Sequence, residues 1–236
     1  MPENMKTADK LIIALDTETL KEAECLVKAL LPSVRTFKIG MGLFTMYGPD
    51  AVRMVCDNGG RVFLDLKFLD IPNTVAHAVK SACGLGVFML NIHALGGQDM
   101  ASRAVEAAAA SGKKPLLLGV TILTSMDEAS VKQVGICGAL EDEVVSLAKL
   151  SRQAGLDGVV ASPKEIHIIR ENLGRDFVIV TPGIRPSGSG KDDQKRTMTP
   201  GEAVRAGADY IVVGRPVTGS GDPSAAAAGM IKEMEN

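Results

Sequence analysis

A (β/α)8 barrel of the TIM type is predicted from three features of this sequence. Eight short runs rich in Val, Ile, Leu and Phe recur along its 236 residues. Near-continuous apolar runs of this kind fit parallel strands covered on both faces. Helix patterns with recognisable starts and stops lie between them. Polar residues gather at the ends of the runs, where a barrel keeps its chemistry. No linker or low-complexity tract divides the chain, so residues 1–236 read as one α/β domain. A doubly wound open sheet is the alternative. Its glycine-rich turn after the first strand is missing, because that turn reads "ALDTETL".

The strands are expected at "LIIALD" from Leu11, "TFKIG" from Thr36, "RVFLDLK" from Arg61 and "FMLNIHA" from Phe88. They continue at "PLLLGVTIL" from Pro115, "GVVAS" from Gly158, "FVIVTPGI" from Phe177 and "YIVVGRPV" from Tyr210. Between them, Thr19 with Glu22, Ser162 with Glu165, and Thr199 with Glu202 have the spacing of a capping box. Pro163 and Pro200 fall at first helical positions, where a missing N–H costs little, and Pro49, Pro72 and Pro223 mark similar openings. Gly59–Gly60, Gly112, Gly155, Gly174 and Gly207 follow periodic segments as helix stops.

Composition excludes several classes. The net charge is −2 and the basic residues are scattered, unlike the basic stripe of a nucleic-acid binder. Aromatics are 3% with no Trp, which leaves no base-stacking platform. The start, "MPENMKTADK", lacks the apolar core of a signal peptide, and no apolar run approaches the roughly 18 residues of a membrane span. No membrane or nucleic-acid partner is expected, and the expected address is the cytoplasm. Cys25, Cys56, Cys83 and Cys137 form no C-x-x-C pair and read as small buried hydrophobes in a reducing compartment.

The strand ends carry Asp16, then Lys38, then Asp65 and Lys67 with Asp70 just beyond. Asn91 and His93 follow, then Thr124 and Ser125, then Arg185, then Gly214 and Arg215. Asp65 and Lys67 are two apart, so a regular strand turns both to one face, where an inward orientation brings them to Lys38. Burying an unpaired charge costs several kcal/mol, so such groups are paired or kept for chemistry. Taken alone, D-x-K-x-x-D reads equally as an ion-pair cluster that fixes the barrel mouth. Asp16 and Lys38 at the adjacent ends favour the functional reading.

Two loops suggest phosphate. "TPGIRPSGSGKDDQKRTMTP" is longer than most βα loops and rich in Gly and Ser, as active-site lids often are. "VVGRPVTGSGDP" follows the eighth strand, and the loops after strands seven and eight commonly dock phosphate in such barrels. Gly214 lets the backbone approach an oxyanion, and Arg215 offers a bidentate fork, although a surface salt bridge would also account for Arg215. "GSGK" at Gly188 lacks the P-loop spacing and "GSGD" at Gly219 lacks a third glycine, so neither ATP nor NAD is indicated. His77, His93 and His167 are far apart, so no metal site is expected. His77 and His167 fall within helix patterns, and His93 fits a supporting hydrogen-bonding role.

"LDLKFLDIPNT" (Leu64 to Thr74), "VTILTSM" (Val120 to Met126), "VTPGIRPSGS" (Val180 to Ser189) and "VVGRPVT" (Val212 to Thr218) resemble the bacterial orotidine 5′-monophosphate decarboxylase family. The resemblance covers nearly the whole chain, with the motifs in order on the expected strands. It implies a homodimeric barrel that converts orotidine 5′-monophosphate into UMP and CO₂, the last step of pyrimidine synthesis, without a cofactor. It makes Lys67 the proton donor to the carbon that loses CO₂, places Asp65 beside the departing carboxylate, and gives Lys38 a place in an alternating charge array. Asp70 and Thr74 would reach into the partner's active site. Asp16 would bind ribose hydroxyls and Thr124 the pyrimidine or its neighbourhood. Arg185, Gln194, Gly214 and Arg215 would hold the phosphate, with the loop from Pro186 to about Met198 closing over it. Leu69 departs from the family pattern, where many relatives carry a polar residue.

Two other readings differ in what they require. Metal-dependent sugar-phosphate decarboxylases and synthases share D-x-K-x-x-D but hold Mg²⁺ with a carboxylate at the strand-two position, which here is Lys38. A barrel that binds a nucleotide without turning it over would show a broken charge array, whereas Lys38, Asp65, Lys67 and Asp70 are all present. A phosphosugar isomerase fits the fold alone, but it would want a base for C–H abstraction that this array does not offer.

Overall fold

A computed structural model describes residues 6–187 and 197–235. Eight parallel strands close into a barrel in sequence order. They are β1 (Leu11–Ala14), β2 (Thr36–Gly40), β3 (Arg61–Phe68), β4 (Met89–His93), β5 (Leu116–Val120), β6 (Gly158–Val160), β7 (Val178–Thr181) and β8 (Tyr210–Val213). β8 returns to β1 with Leu11 beside Ile211 and Ile13 beside Val213. Each expected run holds one strand, but several strands stop early. β1 ends at Ala14, β5 at Val120 and β8 at Val213, so Asp16, Thr124 and Gly214 sit in the turns beyond, and Arg215 is the first residue of a short helix.

Around the barrel lie α1 (Leu20–Leu30), α2 (Met41–Tyr47), α3 (Pro49–Asp57), α4 (Pro72–Gly84), α5 (Gly97–Ala109) and α6 (Glu128–Gln133). α7 (Leu140–Gln153), α8 (Ile166–Leu173), α9 (Pro200–Ala206), α10 (Arg215–Thr218) and α11 (Pro223–Glu235) complete the ring. The caps form as the spacing predicts. The Glu22 N–H donates to the Thr19 hydroxyl at 3.2 Å and the Glu202 N–H to the Thr199 hydroxyl at 3.4 Å. The Ser162 N–H donates to Glu165 at 2.9 Å ahead of α8. α9 stops at Gly207, whose φ of 112° suits glycine alone.

The core has two parts, set by the two-residue alternation of the strands. Leu11, Phe37, Leu90, Leu117, Ile179 and Ile211 face the helices. Ile12, Phe63, Met89, Leu118, Val178 and Tyr210 fill the barrel interior. Continuing the inward parity toward the carboxyl ends reaches Asp16, Lys38, Asp65, Asn91 and His93. The barrel is thus apolar below and polar at its mouth.

The cysteines correct the sequence reading. Only Cys83 is buried, while Cys56 is half-buried and Cys25 and Cys137 are exposed. α1 buries Ala23, Val27 and Leu30, and Cys25, two residues from each of the first two, lies on the opposite face. Among the described residues, no helix is long and apolar enough to cross a membrane.

Candidate active site

The carboxyl ends of the strands open onto a cavity of about 350 Å³. Phe63, Val120, Val160 and Val212 line its apolar part. Asp16, Lys38, Asp65, Lys67, Thr124, Arg185, Gly214 and Arg215 also line it, so eight of the residues expected from the sequence converge on one site.

Four of them form a chain of alternating charge. Asp16 Oδ1 lies 3.3 Å from Lys38 Nζ, and Lys38 Nζ lies 3.5 Å from Asp65 Oδ2. Asp65 Oδ1 lies 2.5 Å from Lys67 Nζ. The Lys38 and Asp65 side chains are each 12% exposed, so water screens this pair weakly. Burial pushes the Asp65 carboxyl up, but Lys38 and Lys67, with hydrogen bonds from Lys67 and Asn91, outweigh it and hold the group below the usual carboxylate range. Asp65 is therefore an anion between two cations.

β3 is not a regular strand here, which corrects the alternation argument. Leu64 pairs with Leu90 and Phe68 with Ile92, so β3 spends four residues where β4 spends two. Inside this bulge Lys67 has φ 49°, and no other non-glycine residue among those described has a positive φ. Such a conformation costs about 1–3 kcal/mol and persists only where its surroundings hold it. Asn91 supplies part of that hold. Its Oδ1 accepts the Lys67 N–H at 2.8 Å, and its Nδ2 donates to Asp65 Oδ1 at 2.7 Å. Asn91 stood among the strand-end polar residues without a role. The available signal was a polar side chain at an inward position of a central strand, where it is fully buried.

Asp70 and Thr74 do not join the cavity of their own chain. Asp70 is exposed and accepts the Ile71 N–H at 2.7 Å, and Thr74 is exposed in the first turn of α4. Among the described residues Asp70 makes no ion pair with Lys67, and Asp65 is the carboxylate that pairs with that ammonium. Gln194 lies outside the described residues.

Across the mouth, Arg185 leaves β7 with its N–H bonded to the Met198 carbonyl at 3.1 Å. Arg215 opens α10, and the Gly214 carbonyl accepts the N–H groups of Val217 and Thr218. A Cβ at Gly214 would meet Ala14 Cβ at 3.6 Å and Asp16 Oδ2 at 3.7 Å, which is ordinary contact. The chain itself therefore has room for a methyl group there, on the wall of the cavity. His93, at the end of β4, accepts the Leu95 N–H through Nδ1 at 3.4 Å. Burial and the nearby Lys67 charge hold it below the usual histidine value, and so neutral. Among the described residues no three His, Cys, Asp or Glu side chains gather as metal ligands. One cavity wall thus carries the Lys67 ammonium, paired with Asp65, and residues Arg185 and Arg215 also line the cavity.

The family model for the orotidine 5′-phosphate decarboxylase / HUMPS family matches residues 9–230. An orotidine 5′-phosphate decarboxylase of Syntrophotalea carbinolica is 56% identical over 230 residues, covering 95% of this chain and 94% of that protein. The protein of the same name from Moorella thermoacetica is 52% identical, covering 98% of this chain and 94% of its own length. The crystal structure of orotidine 5′-phosphate decarboxylase from Lactobacillus acidophilus superposes with a TM-score of 0.85 at 36% identity, over 97% of this chain and all of that one.

Proposed function

The chain belongs to the orotidine 5′-phosphate decarboxylase / HUMPS family, and on that premise we propose that it converts orotidine 5′-monophosphate into UMP and CO₂ in pyrimidine biosynthesis. The observation that carries the reading is the Lys38–Asp65–Lys67 array on the wall of the cavity, facing Arg185 and Arg215. The bond from the pyrimidine ring to its carboxylate breaks, the electron pair stays on the ring carbon, and CO₂ leaves. No neighbouring group delocalises that pair well, so a fixed ammonium stabilises the developing charge. Lys67 then gives its proton to the same carbon and is reprotonated from solvent. Asp65 Oδ1, 2.5 Å away, pairs with the Lys67 ammonium and holds it in place.

Asp65 lies beside the departing carboxylate, Asp16 takes ribose hydroxyls, and Thr124 meets the pyrimidine. Arg185, Gln194, Gly214 and Arg215 hold the phosphate. Binding energy gathered at that remote end holds the reacting carbon against Lys67. The enzyme acts in the cytoplasm as a homodimer with shared sites, Asp70 and Thr74 entering the partner's cavity. Two features support the dimer: both residues are exposed in their own chain, and Leu69 and Ile71, 53% and 67% exposed, flank Asp70 with apolar surface. The metal-dependent reading is not favoured, because Lys38 stands where it requires a carboxylate.

The test is the ultraviolet absorbance of orotidine 5′-monophosphate mixed with purified protein. The orotate chromophore decays equally with and without EDTA on this reading. No decay, or decay that EDTA abolishes, contradicts it.

A further inference from the structure

Asn91 is a buried polar side chain to which the reaction scheme gives no part. It sits on β4 opposite the stretch where β3 carries its two extra residues. Its amide makes two bonds at once, accepting the Lys67 N–H at 2.8 Å and donating to Asp65 Oδ1 at 2.7 Å. The same Asp65 oxygen accepts a hydrogen bond from Lys67 Nζ at 2.5 Å. These bonds close a ring: Lys67 backbone, Asn91 amide, Asp65 carboxylate, Lys67 ammonium. The end of a long, flexible side chain is thereby tied back to its own peptide N–H.

The chemistry of the ring selects the residue type. A backbone N–H only donates and a carboxylate only accepts, so the bridging group must offer one acceptor and one donor side by side. A short amide does this. An aspartate would place a second anion against Asp65. A leucine would leave the Lys67 N–H buried without its partner. Lys67 also holds φ 49°, which an L side chain rarely adopts, and its N–H is the group that Asn91 grips.

We propose that Asn91 is a positioning residue for proton transfer: its amide locks Lys67 in the left-handed backbone and turns Asp65 Oδ1 toward the Lys67 ammonium, so that the proton donor is aimed before substrate arrives. The proposal rests on the reading of Lys67 as proton donor. Asn91 bonds neither to the arginines nor to Asp16, so its removal should leave the phosphate and ribose ends of the site intact.

The experiment compares Asn91→Ala and the nearly isosteric Asn91→Asp with the unaltered enzyme, measuring kcat and KM for orotidine 5′-monophosphate and Kd for UMP. Both variants are expected to lose about 10²-fold in kcat, with KM and Kd changing by less than about threefold, because misplacing a reacting group costs rate while remote binding survives. A folded variant with unchanged kcat overturns the proposal. So does a loss in which KM and Kd worsen as much as kcat, since that is general damage to the site. If alanine prevents folding, the aspartate variant carries the same test. A crystal structure of either variant with Lys67 still at positive φ and Nζ on Asp65 also overturns it. Failure of the unaltered enzyme to decarboxylate would instead strike the reading of Lys67 on which the proposal rests.

Discussion

Lys67 keeps its ammonium against Asp65 by adopting a backbone angle that most lysines avoid. The spacing D-x-K showed that these two side chains could meet, and the regular alternation it assumed would have sufficed. The bulge that delivers them is invisible in the sequence, because nothing local to Leu64–Phe68 requires it; Asn91, on another strand, holds it. His93 offers a test at this scale. Its folded value lies below the ordinary 6.5, chiefly through burial, so the unfolded chain binds the proton first as pH falls. Stability carried by this group is complete above pH 6.5 and drains away below it. The Asp65 carboxyl, lowered from 3.8, is lost in the same direction but only at more acid pH, leaving pH 7.5 to 5.5 to the histidine. His93→Asn, which keeps an acceptor for the Leu95 N–H, should lose less stability over that range than the unaltered protein, read as the urea midpoint at each pH. Equal losses would contradict the buried, neutral state of His93.

The turns that follow the strands carry half of the expected residues that line the cavity, Asp16, Thr124, Arg185 and Gly214, and they are the elements the sequence located least well. Strand cores were legible because runs such as "LIIALD" and "YIVVGRPV" are apolar on both faces, and helix starts because Thr19, Thr199 and Pro200 leave capping signatures. Strand ends were not, since apolar residues such as Ile122 and Ile184 continue past the last ladder bond and are buried all the same. Cys25 was misread for a related reason: its neighbours fix which face of α1 is buried, and its own apolar character does not. The β8–α10 turn gives the prediction at this scale. Gly214→Ala should fold, because the new methyl meets only ordinary contacts at 3.6 Å and 3.7 Å. It should still raise KM for orotidine 5′-monophosphate by about tenfold, roughly 1.4 kcal/mol of lost phosphate binding. An unchanged KM would remove Gly214 from the phosphate site.

At the scale of the whole molecule, the closed barrel brings residues from seven of its eight strands and strand ends around one cavity, and the turn after β3 leaves Asp70 outside it. That division makes the shared site testable. Lys67→Ala and Asp70→Ala homodimers should each be nearly inactive, and mixing them under conditions of subunit exchange should restore activity, because one site of each heterodimer is intact. No restoration after exchange is verified by mass would show that each chain completes its own site. The central claim is that the Lys67 ammonium performs the chemistry. The most direct measurement is the rate of decarboxylation by Lys67→Ala beside its affinity for UMP. The account predicts a kcat reduced by at least about 10³-fold, the scale of losing a principal charge-stabilising proton donor, with UMP bound nearly as tightly as before. A variant that turns over at a rate near that of the unaltered enzyme would contradict it.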